Sequence, residues 1–330
     1  MKNILKLCIT IVIFWLLFRH SQLQLPLLET LYRHPLLSFS VMALCGLMVV
    51  IHTWRWYRLN SVQGISLSFT RTIIPTYLGI AFNTVLPGSV GGDFVRLHFI
   101  LKKFPTQKSA AVLSILVDRI NGLMGILAIA CCAAPFYVEM YRHNDAIYYC
   151  LLICAGLCLT GILGFIILVA ALSEKTGFSD KINRYFSQTR FANIASSLLV
   201  AIHTYRNAKL IIFESLLTSI LTQLILLGTI LIIGKMMGLP ALSPLDYLIA
   251  LVIAQIANLI PLTPGGIGVG EAAFANTLLL LNPGATAAYA TAFLALRILS
   301  TTSYMPGVLL GIFGFHLLHR EEPACTKATA

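Results

Sequence analysis

Charge is scarce in this 330-residue chain, where 11% of residues are Asp, Glu, Lys or Arg against 58% hydrophobic, with a mean hydropathy of +0.86. So few charges cannot clothe a water-facing surface. Several apolar runs approach the roughly 20 residues that cross a bilayer, so the composition excludes an ordinary soluble domain. Acids are scarcer still, 12 against 23 Lys and Arg, leaving a formal net charge of +11. The basic residues fall between apolar runs rather than on a basic module, so no nucleic-acid partner is expected. The eight cysteines form no CxxC pair and no His–Cys spacing suited to zinc; Cys150, Cys154 and Cys158, four residues apart, read as small packing residues on one helix face. The run "GGIGVG" at 265–270 lacks the GxGxxG order, follows no expected strand and has no P-loop lysine, which excludes a nucleotide loop. No metal-ligand cluster and no nucleophile–base spacing occurs, so neither cofactor nor metal is expected, and enzyme is not the leading reading. Residues 4–18 follow Lys2 and Lys6 as in a signal peptide, but no small-x-small cleavage site follows; a retained first helix is expected.

What is present is apolar periodicity with two interruptions. The chain reads as an all-α polytopic membrane protein, one integral membrane domain over 1–330 with about eight membrane helices or hairpins. Continuous spans are expected near 4–20, 36–54, 109–134, 147–171, 209–234 and 285–318, and Pro/Gly-broken segments near 69–101 and 246–282. The run 285–318 would reach about 51 Å against a hydrocarbon core of about 30 Å, so a kink or break is expected near Pro306. Lys2 and Lys6, Arg55, Arg58 and Arg71, Lys102, Lys103 and Lys108, and the stretch from Lys175 to Lys209 all fall on the cytoplasmic side on one condition. The segment 69–101 must enter and leave on that side, as a re-entrant hairpin turning at "LPGSVGG". The N-terminus is then cytoplasmic and the second broken segment enters from the opposite face. Residues 173–208 are expected to lie along the cytoplasmic surface as an amphipathic linker near anionic headgroups. His52, Trp54, Arg55 and Trp56 read as an interfacial anchor, and Glu214 as a carboxylate snorkelling to the interface.

The broken segments align with each other, "NTVLPGSVGGDFVRLHF" against "NLIPLTPGGIGVGEAAF". Each holds an Asn, Pro-Gly, further glycines, an acid and a Phe. Asp93 precedes Arg119 by 26 residues, and Glu271 precedes Arg297 by the same 26. Odd topology between the copies would make them an inverted repeat, about 69–134 and about 246–318. Charge at midplane costs about 2.5–3.5 kcal/mol per residue, so Asp93, Asp118, Arg119, Glu271 and Arg297 must face protein or a wet cavity. The structural alternative is ion pairing that fastens helices: Asp93 or Asp118 with Arg119, and Glu271 with Arg297. Pro87, Pro261 and Pro264 break the helices, and Gly91, Gly92, Gly265, Gly266, Gly268 and Gly270 allow close approach. A helix starting near Gly268 or Gly270 would present unpaired N–H groups to an anion, with Gly91 and Gly92 doing likewise. Asn83, Gln255 and Asn258 are placed to satisfy freed backbone groups, and "GVLLG" at 307–311 to pack helices within the chain.

"PLTPGGIGVGEAAF", with "LPGSVGGDFVR" and "VDRI", resembles the membrane-embedded flippase portion of bacterial lysylphosphatidylglycerol synthases and its stand-alone relatives, over nearly the whole chain. The resemblance implies a flippase moving a polar-headed phospho- or aminoacyl-phospholipid across the bacterial inner membrane, with Asp93, Arg96, Asp118, Arg119, Glu271 and Arg297 at the polar motif positions that bind substrate. Because the sequence stops at Ala330, no aminoacyl-transferase domain is expected, and a separate lipid-modifying enzyme becomes a candidate partner beside membrane lipids. The alternative is a membrane-embedded transferase acting on a lipid carrier.

Overall fold

The computed structural model describes residues 11–17, 19, 23–85, 91–140, 156, 159–160, 204–205, 208–260, 262–263, 265–282 and 288–313. Among these, all regular structure is helical. Ahead of the long helices, Leu25–Glu29 forms a 3₁₀ turn and Thr30–Arg33 one helical turn. Helix α1 is Pro35–Val62, started by a proline that loses no helical bond there and ended before Gly64, whose positive φ of 71° suits only glycine well. Helices α2, Phe69–Val85, and α3, Gly91–Lys103, follow. Then come α4, Lys108–Met140, and α5, Lys209–Met236. Helices α6, Pro244–Leu259, and α7, Val269–Leu281, precede the last, α8, Tyr289–Phe313.

Among the described residues, three helices are long and apolar enough to cross a membrane: α1, α5 and the Lys108–Ala133 part of α4. Their faces are inverted relative to a water-soluble helix. In α5 the exposed side carries Leu210, Phe213, Leu217, Leu221 and Leu224, a stripe at helical spacing, while Ser215, Ser219, Thr222 and Thr229 are buried. In α4 the exposed stripe is Val112, Leu116, Ile120 and Leu123, with Ser114, Asp118 and Asn121 inside. Large apolar groups outward and small or polar groups inward is the arrangement lipid demands, because the hydrocarbon supplies no drive to hide leucine and helices approach through small residues. At Gly125 a Cβ would fall 2.6 Å from the Ser219 Cβ, so this glycine lets α4 and α5 meet.

Each broken segment is a pair of antiparallel helices, α2 with α3 and α6 with α7, and every arm has 13 to 17 residues, short of the roughly 20 that span a bilayer. In the first pair Gly92 is pressed against the backbone of Gly79, and the Gly92 N–H donates to Asn83 Oδ1 at 2.7 Å. In the second, Gly266 and Gly270 press against the Asn258 side chain, and the connecting loop passes through positive φ at Gly265, Gly266 and Gly268. The larger apolar core gathers Phe274 and Leu278 of the second pair with Val41, Ile230, Ile233 and Phe293. A smaller one sets Ile100 and Ala111 against Trp56.

Several expectations need correction. Helix α1 ends at Val62 rather than near 54, because the Arg55 side chain turns into the protein and gives the helix no reason to stop. At Pro306 the helix is not broken, since α8 is continuous through it over Tyr289–Phe313, about 37 Å, and residues 285–287 and 314–318 of the expected run lie outside the described residues. As expected, Gly307 packs within the chain, where a Cβ would run into the Tyr77 ring of α2. Gln255 exchanges hydrogen bonds with Gln223 of α5 at 2.8 and 3.2 Å instead of serving the break. Pro87, Pro261, Pro264, Cys150, Cys154 and Cys158, nearly all of the span 147–171 and all of 173–208 except Thr204, Tyr205 and Ala208 lie outside the described residues.

Candidate functional site

Among the described residues, two groups of buried charges carry the ion pairs of the helix pairs, and buried Asp246 at the start of α6 belongs to neither. In the first, Asp118 of α4 accepts from two arginines on two other helices: Arg55 Nε of α1 donates to Oδ1 at 2.6 Å, and Arg96 Nη1 of α3 donates to Oδ2 at 3.1 Å. All three side chains are at most 8% exposed. Arg55 Nη1 donates further to Ser219 Oγ at 2.7 Å, and the Arg96 guanidinium lies 5.1 Å above the Trp56 ring. The next residue, Arg119, points about 100° around α4 from Asp118 and donates through Nε to Asp93 Oδ2 at 2.7 Å. Asp93 stands in the first turn of α3, where a carboxylate complements the helix dipole.

These groups border a cavity of about 300 Å³ between α1, the first helix pair, α4 and α5, lined on its polar side by His52, Arg55, Asn83, Arg96, Asp118 and Arg119. Leu259 at the end of α6 and Tyr304 of α8 reach its wall. Three guanidiniums converging on so small a space, each fixed by a carboxylate, form a rigid array of donors suited to phosphate or carboxylate oxygens.

In the second group, Glu271 is fully buried in the first turn of α7. Its Oε2 accepts from the Gly268 N–H at 2.8 Å and from Arg297 Nη2 of α8 at 3.4 Å. Arg297 Nε lies 2.8 Å from Oε1, an ion pair whose N–H points off the line of a hydrogen bond. Arg297 also donates to the carbonyls of Gly265 and Gly266, at 2.7 and 3.3 Å. The acid caps the helix and the arginine closes the loop. Neither lines the cavity.

Both ion pairs join residues 26 apart, Asp93 with Arg119 and Glu271 with Arg297, as the sequence spacing suggested. Asp118 was a poor candidate partner for Arg119, since neighbours on a helix face different ways. The anion-binding expectation at the glycines is corrected. The Gly268 N–H is taken by Glu271, that of Gly270 donates to the Gly266 carbonyl at 3.2 Å, and that of Gly92 is taken by Asn83, so these N–H groups are occupied. Gly265 and Gly266 contribute carbonyls to Arg297, and Gly91 is the first described residue of α3. Of the anchor candidates at 52–56, Trp54 is exposed and donates to Glu214 at 2.7 Å, and Glu214 also pairs with Arg58 at 3.0 Å. Arg55 and Trp56 are buried, and His52 lines the cavity. Arg55 is the site residue the sequence reading missed. A signal existed: if Arg119 goes to Asp93, Asp118 needs a separate cation.

Among the described residues no three His, Cys, Asp or Glu side chains come together to hold a metal. Comparison with curated proteins and with solved structures finds no match. The family model described as the lysylphosphatidylglycerol synthase TM region matches residues 3–311, so an all-helical bundle with lipid-facing leucine stripes and an arginine-lined cavity is this chain's version of that membrane domain, and the chain belongs to that family.

Proposed function

We propose that the protein is a flippase, moving a polar-headed phospholipid between leaflets of the bacterial inner membrane. The observation that carries the reading is the cavity itself: a small space inside a membrane bundle, bordered by three arginines at the root of a glycine-packed helix pair and by apolar side chains opposite. Membership of a lipid-related membrane family supports it. The headgroup enters the arginine-lined space while the acyl chains stay in lipid, and the two helix pairs act as inverted re-entrant arms whose alternate exposure carries the headgroup across. In this reading the N-terminus is cytoplasmic, the repeats run over about 69–134 and 246–318, and a separate enzyme makes or modifies the lipid. No bond of the lipid is broken, so the protein is not an enzyme.

The test is leaflet-resolved movement of a fluorescent phospholipid in liposomes holding the purified protein. Movement at least tenfold above protein-free liposomes, lost in Arg119→Gln, is expected. Rates equal to empty liposomes in correctly folded, reconstituted protein would refute transport. A lipid chemically altered on incubation would point instead to a transferase.

A further inference from the structure

The cavity has one polar group that belongs to none of the ion pairs. Gln223 of α5 lines it beside the arginines. Its side chain is braced from α6: Gln255 Nε2 donates to Gln223 Oε1 at 2.8 Å, and Gln223 Nε2 donates back to Gln255 Oε1 at 3.2 Å. A carboxamide carries two N–H donors and an oxygen with two lone pairs. The reciprocal pair uses one of each, so Gln223 keeps one N–H and one lone pair, and among the described residues no other group takes them. The nearby wall, Ile126 and Leu259, is apolar and supplies no partner. A polar group within the cavity completes the amide.

Position relative to the arginines sets what reaches it. Arg55 Nη1 donates to Ser219 Oγ at 2.7 Å, which marks where the guanidinium cluster touches α5. Gln223 stands one turn further along the same face, about 6 Å at 1.5 Å per residue. A group two or three carbons beyond a phosphate falls at that range. With phosphate oxygens on the guanidiniums, the amide therefore faces the substituent of the headgroup. It is neutral and offers both a donor and an acceptor, which matches a hydroxyl. An amine on the same substituent meets the amide oxygen in the same place. Gln255 acts through Gln223, and Leu259, one turn on along α6, reaches the cavity directly, so the second helix pair meets the ligand at two levels.

We propose that Gln223 is a specificity residue, reading a hydrogen-bonding group, in the simplest case a hydroxyl, on the headgroup substituent beyond the phosphate. Gln255 is the positioning residue that aims its amide. The inference rests on the transport reading for the ligand being a phospholipid, whereas discrimination between headgroups is measured in binding alone.

Dihexanoyl phosphatidylglycerol and dihexanoyl phosphatidylpropanol have the same charge and the same number of headgroup carbons, and only the first carries free hydroxyls on its headgroup. Their affinities for the full chain in an uncharged detergent are measured by isothermal titration calorimetry. The wild type should bind the glycerol lipid about tenfold more tightly, because a site built around a hydrogen bond rejects the analogue that lacks it. This comparison needs no variant. Gln223→Leu should bring the ratio below about threefold by weakening the glycerol lipid alone, and Gln255→Leu should lower it partway. A merely structural role would weaken both lipids together and leave the ratio unchanged; that result, like equal affinities in the wild type, overturns the proposal. Glycerol phosphate forms the second arm: competition a hundredfold weaker than the lipid supports a lipid-borne headgroup, whereas equal competition overturns the lipid part. Binding of neither lipid overturns this inference and the transport reading together. Selective binding without movement between leaflets sinks transport alone, and movement by a protein whose two affinities are equal sinks this inference alone.

Discussion

The two helix pairs carry the same order of residue types, Asn, proline and glycines, an acid and a Phe, and use their charges differently. In the first, α2 with α3, the asparagine caps a backbone N–H, the acid holds Arg119, and Arg96 and Arg119 both border a cavity. In the second, α6 with α7, the acid caps its own helix and Arg297 binds the loop carbonyls of Gly265 and Gly266, so the charges are spent on holding the chain. Three further charges make the difference. Where the second repeat has Phe274 and Leu296 the first has Arg96 and Asp118, and Arg55 of α1 joins Arg96 on that carboxylate. A shared motif therefore fixes the shape of each pair without fixing its job, and function enters through the helix packed against it.

The contrast can be broken by substitution. Glu271→Ala should have the largest effect on stability, about 3–5 kcal/mol, because it strands Arg297 in a buried site and uncaps α7; thermal unfolding in detergent reads it, and a shift no larger than that of a surface variant would erase the distinction between the pairs. Gly92→Ala comes next, at about 1–3 kcal/mol or more, since its Cβ would fall on the Gly79 carbonyl, which is backbone and cannot step aside. Asn83→Ala removes the acceptor for the Gly92 N–H and should cost about 1 kcal/mol, with a visible rise in amide exchange at the start of α3. Arg119→Gln sharpens the comparison most: its side chain is 38% exposed, so stability should change by less than about 1 kcal/mol while lipid movement falls at least tenfold. Glu214→Gln, in a half-exposed pair with Arg58, should change neither quantity beyond about 1 kcal/mol.

The long apolar helices and the two interruptions were legible in the sequence because lipid imposes length and glycine–proline clusters interrupt helices in any context. The pairs 26 residues apart were legible for a related reason: deep charge must find opposite charge, and equal spacing named the partners. Arg55 was not legible. It stands in "HTWRWYR", where alternating aromatic and basic residues have the composition of an interface, and composition carries no information about which residue turns inward. Helical geometry held part of the answer, since Trp54 and Trp56 lie about 160° apart around α1, one exposed and the other fully buried. The capping role of Glu271 was legible in principle, because an acid three residues after Gly268 occupies the position that reaches back to an N-terminal N–H.

Asp118 grips two arginines with separate oxygens, and each arginine belongs to a different helix from the other and from the acid itself. Such a carboxylate is a pivot pin. With one oxygen for each guanidinium, the carboxylate keeps a counter-charge even when a single arginine is removed, so either contact alone spares the bundle a bare anion in oil.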